Sequence, residues 1–160
     1  MVKVSPLKDN EKQNFAKLFT DYYSELDCAD DAAHIAEEYV IPDLLAGLIS
    51  VDMLYDGGQT AGFIIYQTDD IDNDWNFKEG WGDVREIYVV PSLRRQGLGR
   101  FLLYTAEMKL KERGVQKAFC LPCAGSEGFF RACGYVGSAS FNEDTDCFVF
   151  EKTNLNNKCK

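Results

Sequence analysis

The stretch Val84–Gly114, VREIYVVPSLRRQGLGRFLLYTAEMKLKERG, constrains what this chain can fold into more than any other. Its first part, Ile87-Tyr88-Val89-Val90, is apolar, β-branched and aromatic, and Pro91 closes it, as in a buried strand. Arg94-Arg95-Gln96-Gly97-Leu98-Gly99-Arg100 follows, two glycines set among three arginines. Leu98, Phe101, Leu102, Thr105 and Ala106 then recur at helical spacing, and Lys109, Lys111 and Arg113 crowd the last turn before Gly114. Cations in a last turn and a glycine just past it are ordinary helix-ending chemistry. Cations at the start are not, because the helix dipole already places positive charge there and no acid offsets Arg94, Arg95 and Arg100. An anion would resolve the conflict. Helix amides and close-approaching glycines can cradle a phosphate, and arginines add charge-assisted contacts to its oxygens. The loop lacks the Gly-Lys-Ser/Thr ending of a P-loop and is not G-x-G-x-x-G. A solvated basic turn would account for the arginines alone, but not for strand, glycines, cations and helix together.

These residues resemble motif A of the GNAT superfamily, the acyl-CoA-dependent N-acetyltransferases, whose signature reads Q/R-x-x-G-x-G/A. Arg94, Gly97 and Gly99 stand at its fixed positions, and Ile87-Tyr88-Val89-Val90-Pro91 looks like the family strand that ends in a Val-x-Pro turn. Phe129-Phe130-Arg131-Ala132-Cys133-Gly134-Tyr135 resembles the family's aromatic helix end. The specific part runs from Arg85 to Tyr135. The resemblance implies a mixed α/β fold: a mostly antiparallel sheet of six to seven strands with splayed central parallel strands, flanked by about four helices.

The remaining sequence fits that outline. Val2-Lys3-Val4 alternates as a first strand, and Phe15, Leu18, Phe19, Tyr22 and Tyr23 mark a helix from Asp9 or Asn10 to about Leu26. A second helix starts at Asp30 or Asp31 and is ended or kinked by Pro42. Leu48–Tyr55 and Thr60–Gln67, joined by Asp56-Gly57-Gly58-Gln59, read as a hairpin. The connection Asp69–Asp83 mixes acids with Trp75, Phe77 and Trp81, rings that should pack on the body or on a ligand. A strand at Gln116–Leu121, a short helix at Gly125–Cys133 and strands at Tyr135–Phe141 and Asp146–Glu151 complete one domain over residues 1–152, with a polar, frayed tail at 153–160.

With a formal net charge of −9, nucleic acid is excluded as a partner, whereas a cationic small substrate fits. No apolar run is long enough to span a bilayer and MVKVSPLKDN has no signal-peptide core, so a cytoplasmic protein without a membrane partner is expected. In that setting the six cysteines read as reduced thiols. Cys120-Leu121-Pro122-Cys123 has no second pair at zinc-ribbon distance, so no metal is expected.

Acetyl transfer from a thioester to an amine needs a group that takes the amine's proton, polarisation of the carbonyl and protonation of the thiolate. Glu86 is a carboxylate inside a run that otherwise reads as buried, where it requires a partner or a task; an ion pair with an arginine such as Arg131 is the competing role. Asp83 starts the same strand on the opposite face. The family places its acidic base variably along this strand, so the resemblance leaves Glu86 and Asp83 both open. It further implies acetyl-CoA as cosubstrate, with the backbone of Tyr88, Val89 and Val90 on the pantetheine arm. The pyrophosphate would lie on Arg94, Arg95, Gln96, Gly97, Leu98, Gly99 and Arg100, and Phe129 and Phe130 would pack the arm. Many members carry a tyrosine acid where this chain has Phe130, and an asparagine near Cys123. The implied activity is therefore acetylation of a primary amine of a small cationic molecule. The alternatives are a non-catalytic acyl-CoA-binding domain and a protein lysine or N-terminal acetyltransferase. A homodimer is allowed.

Overall fold

The computed structural model describes residues 1–27, 29–70, 78–123 and 125–156. Its strands are β1 (Lys3–Pro6), β2 (Ser50–Asp56), β3 (Gln59–Thr68), β4 (Gly82–Val89), β5 (Ala118–Cys120), β6 (Val136–Asn142) and β7 (Cys147–Lys152). They form a seven-stranded sheet in the order β1-β2-β3-β4-β5-β7-β6. The helices are α1 (Lys12–Glu25), α2 (Ala29–Ile35), α3 (Ile41–Leu45), α4 (Leu98–Glu112) and α5 (Glu127–Ala132). This is the mixed, mostly antiparallel sheet expected, with β4 and β5 as its parallel pair.

The pair β4–β5 is registered over Gly82–Val84 against Ala118–Cys120, and β4 then runs on to Val89. The hairpin turn puts Gly57 at φ +58° and Gly58 at +85°, left-handed at both central positions, as a two-residue turn matched to right-handed strand twist requires.

At the start of β4, Gly80 at φ +75° donates to Asp69 C=O (2.9 Å) while Asp69 donates to Trp81 C=O (2.7 Å). That is a glycine bulge, and β4 begins just after it at Gly82, one residue before Asp83. At the other end the Val90 amide donates to Ala61 C=O (2.9 Å). Between the two points β3 advances eight residues (69 to 61) and β4 advances nine (81 to 90), so β4 carries one further extra residue. The break in alternation appears at its end, where Tyr88 and Val89 are both buried. Gly62 lies against this irregularity: a Cβ there would come within 2.1 Å of the Tyr88 carbonyl oxygen.

The second helix of the sequence reading is three pieces. Ile41 N–H donates to Ala36 C=O, five residues back, so Ala36–Val40 is a π turn between α2 and α3. Pro42, which has no amide to give, then sits in the first turn of α3, where that amide is not needed.

Two compact units make up the chain: Met1–Ile65 with Glu86–Leu102, and Tyr66–Arg85 with Leu103–Lys160. The core of the first gathers Phe15, Leu18 and Phe19 of α1 with Val51, Met53, Phe63, Ile65 and Tyr88. In the second, Leu103, Ala106 and Leu110 of α4 are buried, as are Ala118, Phe119, Tyr135, Val149 and Phe150. The second unit also buries an ion pair, Lys152 Nζ to Glu107 Oε2 at 2.7 Å, with both side chains 3% exposed. Trp81 packs on this unit's own body, with Lys78 and Lys117 nitrogens 4.9 and 5.0 Å from its ring centre. Trp75 and Phe77 lie outside the described residues. The tail is held further than expected: Leu155 is buried and its amide donates to Gln116 C=O. No described helix is long and apolar enough to cross a membrane.

Candidate active site

The end of β4, the turn after it and the last turn of α1 belong to one compact unit, and side-chain chemistry gathers where they meet. Helix positions three apart share a face, and so do strand positions two apart. Tyr22 and Glu25 of α1 therefore match Glu86 and Tyr88 of β4 as two rungs. In the first, the Tyr22 hydroxyl donates to Glu86 Oε2. In the second, the Tyr88 hydroxyl donates to Glu25 Oε1 at 3.1 Å. Burial, then the Glu25 carboxylate beside it, pushes the Tyr88 phenol up to about 12. The first rung gives Glu86, half-buried on its strand, a hydroxyl partner.

Arg94 completes the second rung. Its Nη2 donates to both Glu25 oxygens (2.9 and 2.8 Å), its Nε donates to Val89 C=O (2.7 Å), and its guanidinium carbon lies 5.4 Å from the centre of the Tyr88 ring. The sequence reading set Arg94 toward a pyrophosphate; here it fastens the end of β4 to α1. The Val90 amide, expected on a pantetheine arm, is likewise engaged with Ala61.

Beyond Arg94 the chain turns sharply. Arg95 is left-handed at φ +67°, which costs a non-glycine residue about 1–2 kcal/mol. Gly97 follows at φ +83°, with nothing within 4 Å of where a Cβ would stand. The glycine is required here for its backbone angle rather than for space. Leu98 is buried and anchors α4, whose first helical hydrogen bond runs from Phe101 N–H to Gly97 C=O. The amides of Leu98 and Gly99 thus precede the helix ladder. No acid stands in this first turn, and Arg95, Gln96, Gly97 and Arg100 are exposed. Amides ahead of the ladder and exposed cations fit a phosphate-bearing ligand such as the coenzyme A nucleotide.

The structure thus brings Glu86, Tyr88, Val89, Val90 and Arg94 to Arg100 together in one unit. Asp83, Phe129 and Phe130 belong to the other. Asp83 is half-buried and stands opposite Phe119 in the β4–β5 register. Burial, with Asp83 as the next cause, holds the neighbouring Cys120 thiol well above its usual range. Phe130 is buried, its ring edge-on to Phe129 (5.1 Å) and Tyr135 (5.5 Å). Cys120, Cys123, Cys133 and Cys147 are free thiols, and among the described residues no group of three or more His, Cys, Asp or Glu side chains could hold a metal ion. Tyr22 and Glu25 are the site residues that sequence reasoning missed. In the sequence Tyr22 is one more position of a helical repeat, and only the three-residue step from Tyr22 to Glu25 hints at a shared face.

The Acetyltransferase (GNAT) family profile matches residues 12–135. An uncharacterized N-acetyltransferase of Chlorobaculum tepidum is 38% identical over 53 residues, a stretch that covers 33% of this chain and only 33% of that protein. PaiA N-acetyltransferase from Thermoplasma acidophilum, solved in complex with coenzyme A, has a TM-score of 0.77 at 14% identity, over 96% of this chain and 99% of that one. An acetyltransferase assigned to the GNAT family from Desulfovibrio desulfuricans also reaches a TM-score of 0.77, at 17% identity, over 97% of this chain and 99% of that one. At these identities the likeness to solved structures is one of fold.

Proposed function

The chain belongs to the GNAT acetyltransferase family and is an acyltransferase that uses an acyl-CoA cosubstrate; from that premise we propose that it acetylates the primary amine of a small cationic molecule, with acetyl-CoA as donor and Glu86 as base. The observation that carries the reading is Glu86 itself: a half-buried carboxylate near the end of β4, oriented by a hydroxyl, in the same unit as the basic glycine turn.

Acetyl-CoA supplies the activated acyl carbon and a thiolate leaving group. Exposed Arg95 and Arg100 and the leading amides of α4 would take its phosphates, and the backbone of Tyr88 and Val89 would take the pantetheine arm. Glu86 accepts the proton that the acceptor ammonium must lose before its lone pair can attack. The lone pair then forms the C–N bond to the acyl carbon as the C–S bond breaks; coenzyme A leaves as a thiolate and takes up the second amine proton directly or through water, so Phe130 in place of a tyrosine does not forbid the reaction. The cationic acceptor is supported by the segregation of charge. Between Lys17 and Lys78 the chain has fourteen Asp and Glu and no Lys or Arg, and such a field favours a cation over an anion or a neutral amine.

The cofactor half of this reading has its own test. Gly97→Asp places a carboxylate at the basic turn, and Gly97→Asn supplies a side chain of the same shape and similar tolerance of φ +83° without the charge. By calorimetry, coenzyme A affinity should fall about ten-fold or more further in Gly97→Asp than in Gly97→Asn, or at least 1.4 kcal/mol. Equal affinities in the two folded variants would remove the turn from the site.

A further inference from the structure

We propose that Tyr22 is a positioning residue for the acyl transfer, holding the Glu86 carboxylate in its charged form and in one orientation; this rests on the reading of Glu86 as the base. Its hydroxyl donates to Glu86 Oε2, and a hydrogen bond to a carboxylate favours the ionised state. The phenol is itself held. Its ring meets Tyr88 at 5.6 Å, Phe63 edge-on at 5.9 Å and Tyr23 edge-on at 5.4 Å, contacts that fix where the hydroxyl can point. One turn along, Glu25 grips both Tyr88 and Arg94, so α1 cannot slide along β4 without breaking a bidentate ion pair. Tyr22 is thereby kept in register with Glu86. A carboxylate positioned in this way stays ionised to lower pH and does not swing away from the incoming amine.

Charged and titratable groups at this corner include Tyr23, Glu25 and Asp21 of α1, Tyr88 of β4 and Arg94 of the turn. None is removed by Tyr22→Phe, which keeps the ring and deletes only the donor. The part of its effect that passes through Glu86 is read by combining it with Glu86→Gln.

The experiment pairs two readouts. Carboxyl carbon NMR of glutamate-labelled free protein should show the Glu86 titration midpoint higher in Tyr22→Phe by about one pH unit. With acetyl-CoA and the most active amine of an acceptor panel, the acidic limb of kcat/KM should move up by the same amount, a ten-fold lower rate on that limb. The variant Tyr22→Phe/Glu86→Gln should be no slower than Glu86→Gln alone. An unmoved midpoint and limb in Tyr22→Phe overturns the positioning role while the base stands. Full activity in Glu86→Gln removes the base itself, and the role of Tyr22 in catalysis falls with it, whatever the NMR midpoint shows.

Discussion

Glu86→Gln is expected to lower kcat by about 10²–10⁴-fold, the usual worth of a positioned general base, and to erase the acidic limb of the pH–rate profile. Gln keeps the size of the side chain and an oxygen that can accept from Tyr22, so the rung between α1 and β4 survives and the variant should fold. The loss should fall on kcat rather than on coenzyme A affinity, because the basic turn that would hold the nucleotide is untouched. If Glu86 served only to fasten the strand, the result would be reversed: a lower melting temperature and an unchanged limb. Stopped-flow rates and thermal melting on one preparation separate the two. A folded variant with full rate and the original limb would move the base to Asp83 or to water.

Lys152→Met should destabilise the protein by about 3–5 kcal/mol near neutral pH, the cost of leaving one charge of a buried pair without its partner. Lys152 and Glu107 are both 3% exposed, and the second carboxylate oxygen, Glu107 Oε1, is buried without a hydrogen-bond partner. Burial already raises the Glu107 pKa, and the Lys152 ammonium is the main effect pulling it back. Removing the ammonium therefore pushes it higher still. A carboxyl whose folded pKa lies above its unfolded value holds its proton better when folded, so its stability is present at low pH and lost as pH rises. The deficit of Lys152→Met against the native chain should accordingly shrink toward pH 5 and widen toward pH 8 in denaturant titrations. Replacing both partners, as Lys152→Met with Glu107→Leu, should recover most of the loss.

The parts of this protein that were legible in the sequence are those fixed by short-range rules. Ile87–Pro91, the glycine turn and the helix to Gly114 declare themselves through alternation, periodicity and end chemistry, and β4, the turn and α4 stand there. The hairpin around Gly57-Gly58 is legible for the same reason, because left-handed angles at both positions leave few alternatives to glycine. The rest depends on partners far away in the chain. Arg94 reads as a phosphate ligand from its neighbouring glycines and arginines, and nothing near it in sequence announces the carboxylate it meets, Glu25, 69 residues earlier. Tyr22 meets Glu86 across 64 residues, and nothing in an amphipathic helix says which of its buried-face rings carries a working hydroxyl. The extra residue in β4 is a property of its pairing with β3, invisible in either strand alone. Pro42 announced an interruption, but the form it takes, a π turn followed by a new helix, depends on which carbonyl Ile41 can reach.

Acetyl transfer to a cationic amine is tested most directly by following thiol release from acetyl-CoA with a panel of acceptors matched in size but differing in charge. Polyamines, aminoglycosides, amino acids, neutral primary amines and lysine-bearing peptides would form the panel, with the acetylated product identified by mass spectrometry. The account predicts acetylated product from small polycationic amines, with kcat/KM falling as positive charge is removed and as salt is raised. Coenzyme A binding with no thiol release above the amine-free rate across the panel would contradict catalysis, and turnover confined to neutral amines or peptides would contradict the acceptor.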